Sequence, residues 1–291
     1  MLILISDAFG NSLPGRLSKY GEVTDDKAKI PQAEVILIRS KTKVTKEYID
    51  AAENLKLVIR GGVGLDNVDQ EYASKKGITV HNTPAASAIA VAECAFTLII
   101  GITNHIGRAD SSMRNGKWIK KELKRTELFG KTLGIIGLGR IGTELAKRAG
   151  AFGMNVVAYD PFVGTSDYAV IKPEMNDVLN ISDYVSLHLP LIDSTKGVIN
   201  SETLKEFKDG SFLINTGRGK TIVEDDVVDA LKSGKLSGFG NDVWYSDPPI
   251  NNPFVDLPNV LMMPHLGAST KENLERISEI VENIITEYLK N

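Results

Sequence analysis

Three side chains in the last third of the chain have the chemistry to move a proton and steer a hydride. They are Arg218 in Asn215-Thr216-Gly217-Arg218-Gly219, Asp247 ahead of Pro248-Pro249, and His265 in Pro264-His265-Leu266-Gly267. Each comes after a short apolar run that reads as a buried strand: Phe212–Asn215 before Arg218, Leu236–Asp242 before Asp247, and Leu261–Met263 before His265. In parallel sheets ligands gather beyond the carboxyl ends of strands. A guanidinium placed there grips a carboxylate in a planar fork and polarises the neighbouring carbonyl. An imidazole exchanges a proton with a hydroxyl near neutrality. A carboxylate orients that ring and favours its charged form. Together they form the set that hydride transfer between a 2-hydroxy and a 2-oxo acid needs. Taken singly, each has a plainer reading. Arg218 and Asp247 suit surface turns, His265 suits a cap on the following helix, and Asp242 at a strand end suits bonding to nearby backbone. His188, at another strand end, is ambiguous; His81 and His105 read as structural.

Hydride transfer needs a carrier, and Leu133–Asp160 has the pattern to bind one. Leu133–Ile136 is an apolar strand, Gly137, Gly139 and Gly142 give G-x-G-x-x-G, Thr143–Phe152 has helical spacing, and Met154–Tyr159 is a second strand. The first glycine permits the turn, the second lets backbone approach a pyrophosphate, and the third lets helix and strand pack closely. The helix N-terminus offers N–H groups and a positive dipole end to the phosphates. Asp160 closes the second strand 18 residues after Gly142. A carboxylate there accepts from ribose hydroxyls and repels a 2′-phosphate, which argues for NAD over NADP.

The elements that must position these groups follow from the rest of the chain. With 291 residues there is room for two domains. Hydrophobic residues at 42% and charged residues at 24% fit a globular protein, and a net charge of −3 gives no bulk basic surface for nucleic acid. The single cysteine, Cys94, excludes an internal disulfide and points to a reducing, cytoplasmic setting. Met1 runs straight into the apolar Leu2–Ser6 without a basic segment, so no signal peptide is expected. The longest apolar run, Ala88–Ile102, is short for a bilayer and contains Glu93, so it reads as a buried helix and no membrane partner is expected.

Strands are expected at Leu2–Ser6, Val35–Ile38, Leu57–Ile59 and Ile78–His81, alternating with a mixed stretch at Asp25–Ala33 and helices at Lys46–Asn54 and Glu71–Lys76. Pro84 breaks the pattern, and the helix from Ser87, with Ser87 as its N-cap, opens the second domain. Ile106–Gly130 is polar and basic around Trp118 and reads as an exposed arm. Val185–His188 is a strand. Ser201–Phe207 is a helix capped by Ser201, Val223–Lys232 a helix ended by Gly234, and Lys271–Leu289 the final helix. The fold class is α/β, with two Rossmann-like or flavodoxin-like parallel-sheet domains. A substrate domain of residues 1–84 plus 267–291 joins an NAD-binding domain of 85–266, the active site being a cleft between them that closes to exclude water.

The segments Arg60–Asp69 (RGGVGLDNVD), Asn82-Thr83-Pro84, Gly134–Gly142 (GIIGLGRIG), Asn215–Gly219 (NTGRG), Asn241–Pro249 and Pro264–Thr270 (PHLGAST) together resemble the NAD-dependent D-2-hydroxyacid dehydrogenases over the whole chain. Arg39–Thr45, Asn115–Trp118 and PHLGAST are most similar to the catalytic part of the D-3-phosphoglycerate dehydrogenases. The resemblance implies Arg218 as substrate arginine, His265 as acid/base and Asp247 as its orienting carboxylate. It implies cofactor contacts at Gly137, Gly139, Arg140, Ile141, Gly142, Asp160, His188, Leu189, Pro190, Thr195, Thr216, Gly217, Arg218, Asp242, His265, Gly267 and Ala268. Gly62, Val63 and Gly64 would hold the substrate carboxylate, and Arg39 and Arg60 would lie toward a substrate phosphate. The implied reaction is oxidation of 3-phospho-D-glycerate to 3-phosphohydroxypyruvate, with a glyoxylate or hydroxypyruvate reductase as the alternative. A nucleotide-sensing corepressor is the rival of another class, but it would need no Arg, carboxylate and His together. Homodimerisation through the nucleotide domain is expected, and no metal. Two departures stand out. Asp247 occupies a position where the family normally has Glu, and the chain stops at Asn291, so no regulatory domain or serine feedback is expected.

Overall fold

The computed structural model describes residues 1–290, which divide into two compact units, residues 1–88 with 268–290 and residues 89–267. The chain thus passes between units at 88/89 and 267/268, against the expected 84/85 and 266/267.

In the first unit the elements are β1 (Leu2–Ile5), α1 (Leu13–Leu17), β2 (Glu22–Thr24), β3 (Val35–Ile38), α2 (Lys46–Ala51), β4 (Leu57–Arg60), α3 (Gln70–Lys75) and β5 (Thr79–Asn82). The sheet is all parallel, ordered β2-β1-β3-β4-β5, the flavodoxin-like arrangement. Every residue of β3 and β4 is buried, as expected of strands covered on both faces. The stretch at Asp25–Ala33 is a 3-10 helix, Lys27–Gln32, with Asp26 capping Ala28 N–H. Neither α1 nor β2 stood out in the sequence. β2 is a three-residue edge strand with no fully buried residue, so it carries no hydrophobic period.

The second unit holds α4 (Ala88–Thr103), α5 (Ile106–Arg114), β6 (Thr132–Ile136), α6 (Arg140–Ala151), β7 (Asn155–Tyr159), β8 (Val170–Ile171), α7 (Met175–Leu179), β9 (Tyr184–Leu187), α8 (Ser201–Lys205), β10 (Ser211–Asn215), α9 (Glu224–Ser233), β11 (Leu236–Asn241) and β12 (Val260–Met262). Its parallel sheet is seven-stranded, ordered β12-β11-β10-β9-β6-β7-β8. The order reverses between β6 and β9, and a doubly wound sheet opens its ligand crevice at that reversal. Ala92, Ala95, Leu98 and Ile99 of α4 pack with Leu133, Ile135, Leu145 and Ala149 in one core. A second core joins Leu187, Leu213, Val227 and Phe239.

Helix α10 (Lys271–Tyr288) returns to the first unit. Ile277, Val281 and Ile285 recur at four-residue spacing, and that stripe packs on Ile3, Leu13, Leu17, Val35 and Leu37.

Several local expectations need correction. α6 starts at Arg140, so Gly142 lies inside the helix. Asn200, not Ser201, caps α8, through a capping box with Thr203. The hydroxyl of Ser87 has no hydrogen-bond partner and so does not cap α4. The basic arm begins as helix α5, beyond which Trp118 is 76% exposed. Among the described residues no single helix is long and apolar enough to cross a membrane; α4 and α5 would reach only together and bend by 62°.

Candidate active site

The crevice between β6 and β9 is shaped by glycine. Gly137 has φ +95°, and a Cβ there would lie 2.8 Å from the carbonyl oxygen of His188, so the two loops meet at backbone contact. A Cβ on Gly142 would lie 2.4 Å from Gly137 O, which fixes how closely α6 sits against its strand. Gly139 differs: a Cβ there would meet nothing within 4 Å, and as the N-cap of α6 it makes no side-chain cap bond. Open backbone at an uncapped helix N-terminus is what a pyrophosphate requires. Arg140 and Ile141 form the first turn of α6.

Asp160, just past β7, accepts from Leu138 N–H at 2.8 Å and Phe162 N–H at 2.9 Å. It therefore ties the glycine turn to the end of β7 while keeping lone pairs for ribose hydroxyls. These residues fit a dinucleotide. Beyond β9, His188 pairs its Nε2 with Ser186 Oγ at 3.0 Å and its Nδ1 with Thr216 Oγ1 at 3.5 Å, and burial pushes its pKa down to about 4. Leu189 lies along Gly217, where a Cβ would come within 3.1 Å of Leu189 O. The Thr195 hydroxyl donates to Pro190 O at 2.6 Å and accepts from Ile192 N–H at 3.0 Å, so it braces its own loop.

At the ends of the adjacent strands β10, β11 and β12 stand the three chemical residues. Arg218 follows β10 in extended backbone, and its Nη1 donates to Gly217 O at 2.8 Å. Its turn touches the next loop: a Cβ on Gly219 would lie 2.2 Å from Trp244 C and O, and Tyr245 donates its hydroxyl to Ile222 O at 2.6 Å. Asp242, at 1% exposure, spends both carboxylate oxygens on backbone, accepting from Leu266 N–H at 2.7 Å and Gly267 N–H at 2.8 Å. Burial raises its pKa, and those two N–H groups oppose the rise. Trp244 adds a bond from Nε1 to Met263 O at 3.0 Å. The turn bearing His265 is thus held on both sides, and His265 itself sits at φ +57°, rare for a residue with a Cβ. The Nδ1 of His265 is hydrogen-bonded to Asp247 Oδ2. The shorter acid does reach the ring.

The remaining candidates lie in the first unit. Arg39 follows β3 and Arg60 ends β4, with Ile38 and Arg60 in register. The guanidinium of Arg39 donates to Ala8 O at 3.4 Å and Ala268 O at 3.1 Å, and that of Arg60 donates to Ser40 Oγ at 3.2 Å. Part of each fork is therefore spent on the protein. Val63 is 37% exposed, and its carbonyl, in the Gly62-Val63-Gly64 loop, accepts from Asn82 Nδ2. Ala268 O also accepts from Asn273 Nδ2 at 2.7 Å; these contacts place Ala268 in the first unit and leave Gly267 in the second.

Three supporting residues escaped the sequence reading. Asp7 accepts from Arg39 N–H, Thr42 N–H at 3.1 Å and Thr42 Oγ1 at 2.7 Å. Asn67 donates to Arg39 O and Thr42 O, each at 2.7 Å, and clamps the same loop from the other side. Asn215 braces the Arg218 turn. An Asn or Asp at a strand end is the only signal such residues give, and many residues share it.

Comparison with known proteins agrees with this geometry. Residues 96–267 match the D-isomer specific 2-hydroxyacid dehydrogenase, NAD binding domain. The hydroxypyruvate reductase of Thermotoga maritima is 47% identical over 262 residues, covering 89% of this chain and 86% of that protein. The D-3-phosphoglycerate dehydrogenase of Methanocaldococcus jannaschii is 40% identical over 300 residues, covering 99% of this chain but only 57% of that one. The chain spans about half the length of the other phosphoglycerate dehydrogenases it matches, such as that of Homo sapiens at 48%. The D-lactate dehydrogenase of Aquifex aeolicus, solved with NAD and lactic acid, superposes with a TM-score of 0.88 at 30% identity over 100% of this chain and 96% of that one. A glycine cradle fitted to a dinucleotide, an Arg, Asp and His on neighbouring strand ends, and a match running through both place this chain among the D-2-hydroxyacid dehydrogenases, oxidoreductases that work with NAD.

Proposed function

We propose that the chain oxidises 3-phospho-D-glycerate to 3-phosphohydroxypyruvate, and reduces it in the reverse direction. What supports this reading is a pair of arginines on neighbouring strand ends of the first sheet, Arg60 in register with Ile38 and Arg39 next along the chain, which would offer cationic donors to a substrate phosphate. In the reaction Arg218 takes the substrate carboxylate in a bidentate fork. His265 accepts the C2 hydroxyl proton at Nε2, while Asp247 holds Nδ1 and stabilises the imidazolium. The turn at Gly137, Gly139 and Gly142, the α6 N-terminus and Asp160 would hold NAD, which when bound would accept the hydride from C2. Asp242 keeps the His265 turn in place throughout.

A second reading is a hydroxypyruvate reductase acting on the substrate without its phosphate. It is favoured by the Thermotoga relative, which this chain matches over 86% of its length, and by the share of both guanidinium groups already bonded to protein oxygen. A panel of phosphoglycerate, glycerate, lactate and glyoxylate or hydroxypyruvate with NAD or NADH separates the two. A kcat/KM for phosphoglycerate at least tenfold above that for glycerate supports the first; the reverse order replaces it with the second.

The molecule is proposed to work as a cytoplasmic homodimer. Support comes from a single unbridged cysteine, the exposed Trp118, and apolar Ile106 and Met113 exposed nearby in sequence on α5. Light scattering at micromolar concentration is expected to give twice the 31.7 kDa chain mass; 31.7 kDa itself would refute the dimer.

A further inference from the structure

The Arg218 turn is held by two side chains that contribute nothing to the outer surface, Asn215 and Thr221. Asn215, the last residue of β10, is fully buried. Its Oδ1 accepts from Gly217 N–H at 3.0 Å, and its Nδ2 donates to Arg218 O at 3.0 Å. Thr221, also fully buried, donates its hydroxyl to the same Arg218 carbonyl at 2.7 Å and lies 3.5 Å from Asn215 Nδ2. The Thr216–Gly217 peptide unit and the one after Arg218 are therefore both fixed by a single amide, so the two residues between them, Gly217 and Arg218, are clamped at each end. Between them the backbone of Arg218 is extended, at φ −142° and ψ 137°, so the direction of its Cα–Cβ bond is set. The main chain of Asn215 performs a second task. Its carbonyl accepts from Asp242 N–H at 3.0 Å, and Asp242 in turn holds the two N–H groups after His265.

We infer that Asn215 is a positioning residue for substrate recognition: its side-chain amide aims the Arg218 guanidinium, and its carbonyl registers that turn against the one bearing His265. A planar fork must meet a planar carboxylate, so its worth depends on direction more than on charge. A buried amide with one acceptor and one donor spent on the same turn is suited to hold that direction. Aspartate at this position keeps the acceptor for Gly217 N–H but turns an oxygen toward Arg218 O where a donor stood. Valine in place of Thr221 removes the second donor to that carbonyl at nearly constant volume.

The inference rests on Arg218 as the carboxylate anchor. The test is binding of oxamate, a carboxylate with no reducible carbonyl, to the enzyme–NADH complex. It is compared in the parent, Asn215→Asp, Asn215→Ala, Thr221→Val and Arg218→Lys, with the NADH Kd measured alongside. The expected result is an oxamate Kd raised about tenfold in both Asn215 variants, the loss of one or two ordinary hydrogen bonds, and less in Thr221→Val. The NADH Kd should change far less than the oxamate Kd, because the glycine turn at Gly137, the α6 N-terminus and Asp160 are untouched even though the Gly217 turn adjoins the cofactor site. KM for the 2-oxo acid should rise with the oxamate Kd. Oxamate binding unchanged in Asn215→Asp, while Arg218→Lys weakens it, overturns the inference and leaves the anchor standing. Oxamate binding unchanged in Arg218→Lys removes the anchor, and the inference with it. Parallel losses of oxamate and NADH affinity in a folded Asn215→Asp protein mean general collapse of the turn, and that also overturns it. Should Asn215→Ala fail to fold, the isosteric Asn215→Asp and Thr221→Val carry the decision.

Discussion

His265 and Asp247, 18 residues apart, share a hydrogen bond between Nδ1 and a carboxylate oxygen, and both side chains are partly exposed. The bond fixes the ring's tautomer and presents Nε2 outward. Asp247→Asn preserves shape and one acceptor oxygen but removes the negative charge that favours the protonated ring. We expect kcat to fall by about 10²-fold or more, the scale of general acid–base assistance, with the NADH Kd unchanged. Asp247→Glu, which adds back a methylene, should retain most activity. Stopped-flow measurement of the hydride step in each variant is the check; an unaffected step in Asp247→Asn would show that this carboxylate does not organise the imidazole.

Gly62, at φ +157°, serves its own backbone and also leaves room for a guanidinium. A Cβ there would lie 1.9 Å from Arg60 Nη1 and 2.6 Å from Cζ, and Arg60 is only 9% exposed, so the fork has little room to retreat. Gly62→Ala should push the guanidinium away from Ser40 and disturb the basic pair at the ends of β3 and β4. The expected outcome is a KM for phosphoglycerate raised about tenfold beyond any rise in the KM for hydroxypyruvate, the cost of one charge-assisted hydrogen bond, since the loop's contact to the carboxylate is common to both substrates. Equal increases for both substrates would assign the effect to the loop and not to phosphate recognition.

How much of this was legible beforehand varied with the physical signal. Where three levels agreed on one unit, as in the apolar strand, the glycine spacing and the terminal acid of residues 133–160, the sequence reading located the crevice, though it started the helix three residues late. Gly142 reads as a loop residue because glycine disfavours helix interiors, yet here it is inside α6 for the sake of close packing. The edge strands β2 and β8 were missed because short edges lack a buried face to impose a period. Asp242 was read as a strand-end residue of ambiguous role, and its two bonds to the residues after His265 lie 24 and 25 positions away, beyond any local pattern. Asn215 gives no sign of a role in the sequence, since an Asx turn looks the same there whether or not it aims anything.

His188 gives a pH signature separate from catalysis. Burial holds its pKa near 4 in the folded protein, whereas an unfolded imidazole titrates near 6.5. Between those values the unfolded chain binds a proton that the native state refuses. Stability from this residue is therefore full above the unfolded value, falls as pH drops below 6.5, and levels off below 4, with a loss of roughly 2 kcal/mol by pH 5. His188→Gln has no such proton to bind. Urea denaturation of parent and variant at pH 7 and pH 5 should show the parent losing more stability by about that amount. Equal losses would mean that the imidazole is already charged, or already solvated, in the native state.

Cys94 on α4 should be a poor nucleophile despite being partly accessible. Burial pushes its thiol up to about 12, and the Asp242 carboxylate beside it adds to the rise. Its Sγ lies 3.6 Å from Met263 Sδ, an environment without a cation to stabilise a thiolate. Since the thiolate is the reacting form, iodoacetamide at pH 8 should label the native protein about 10³-fold more slowly than a free thiol, and labelling should become fast in urea. Because burial is the larger cause, Asp242→Asn should raise the native rate only modestly even though it removes the neighbouring charge. A parent rate near that of a free thiol would show Cys94 to be solvated, whereas a slow parent and a near-free rate in Asp242→Asn would shift the explanation from burial to Asp242.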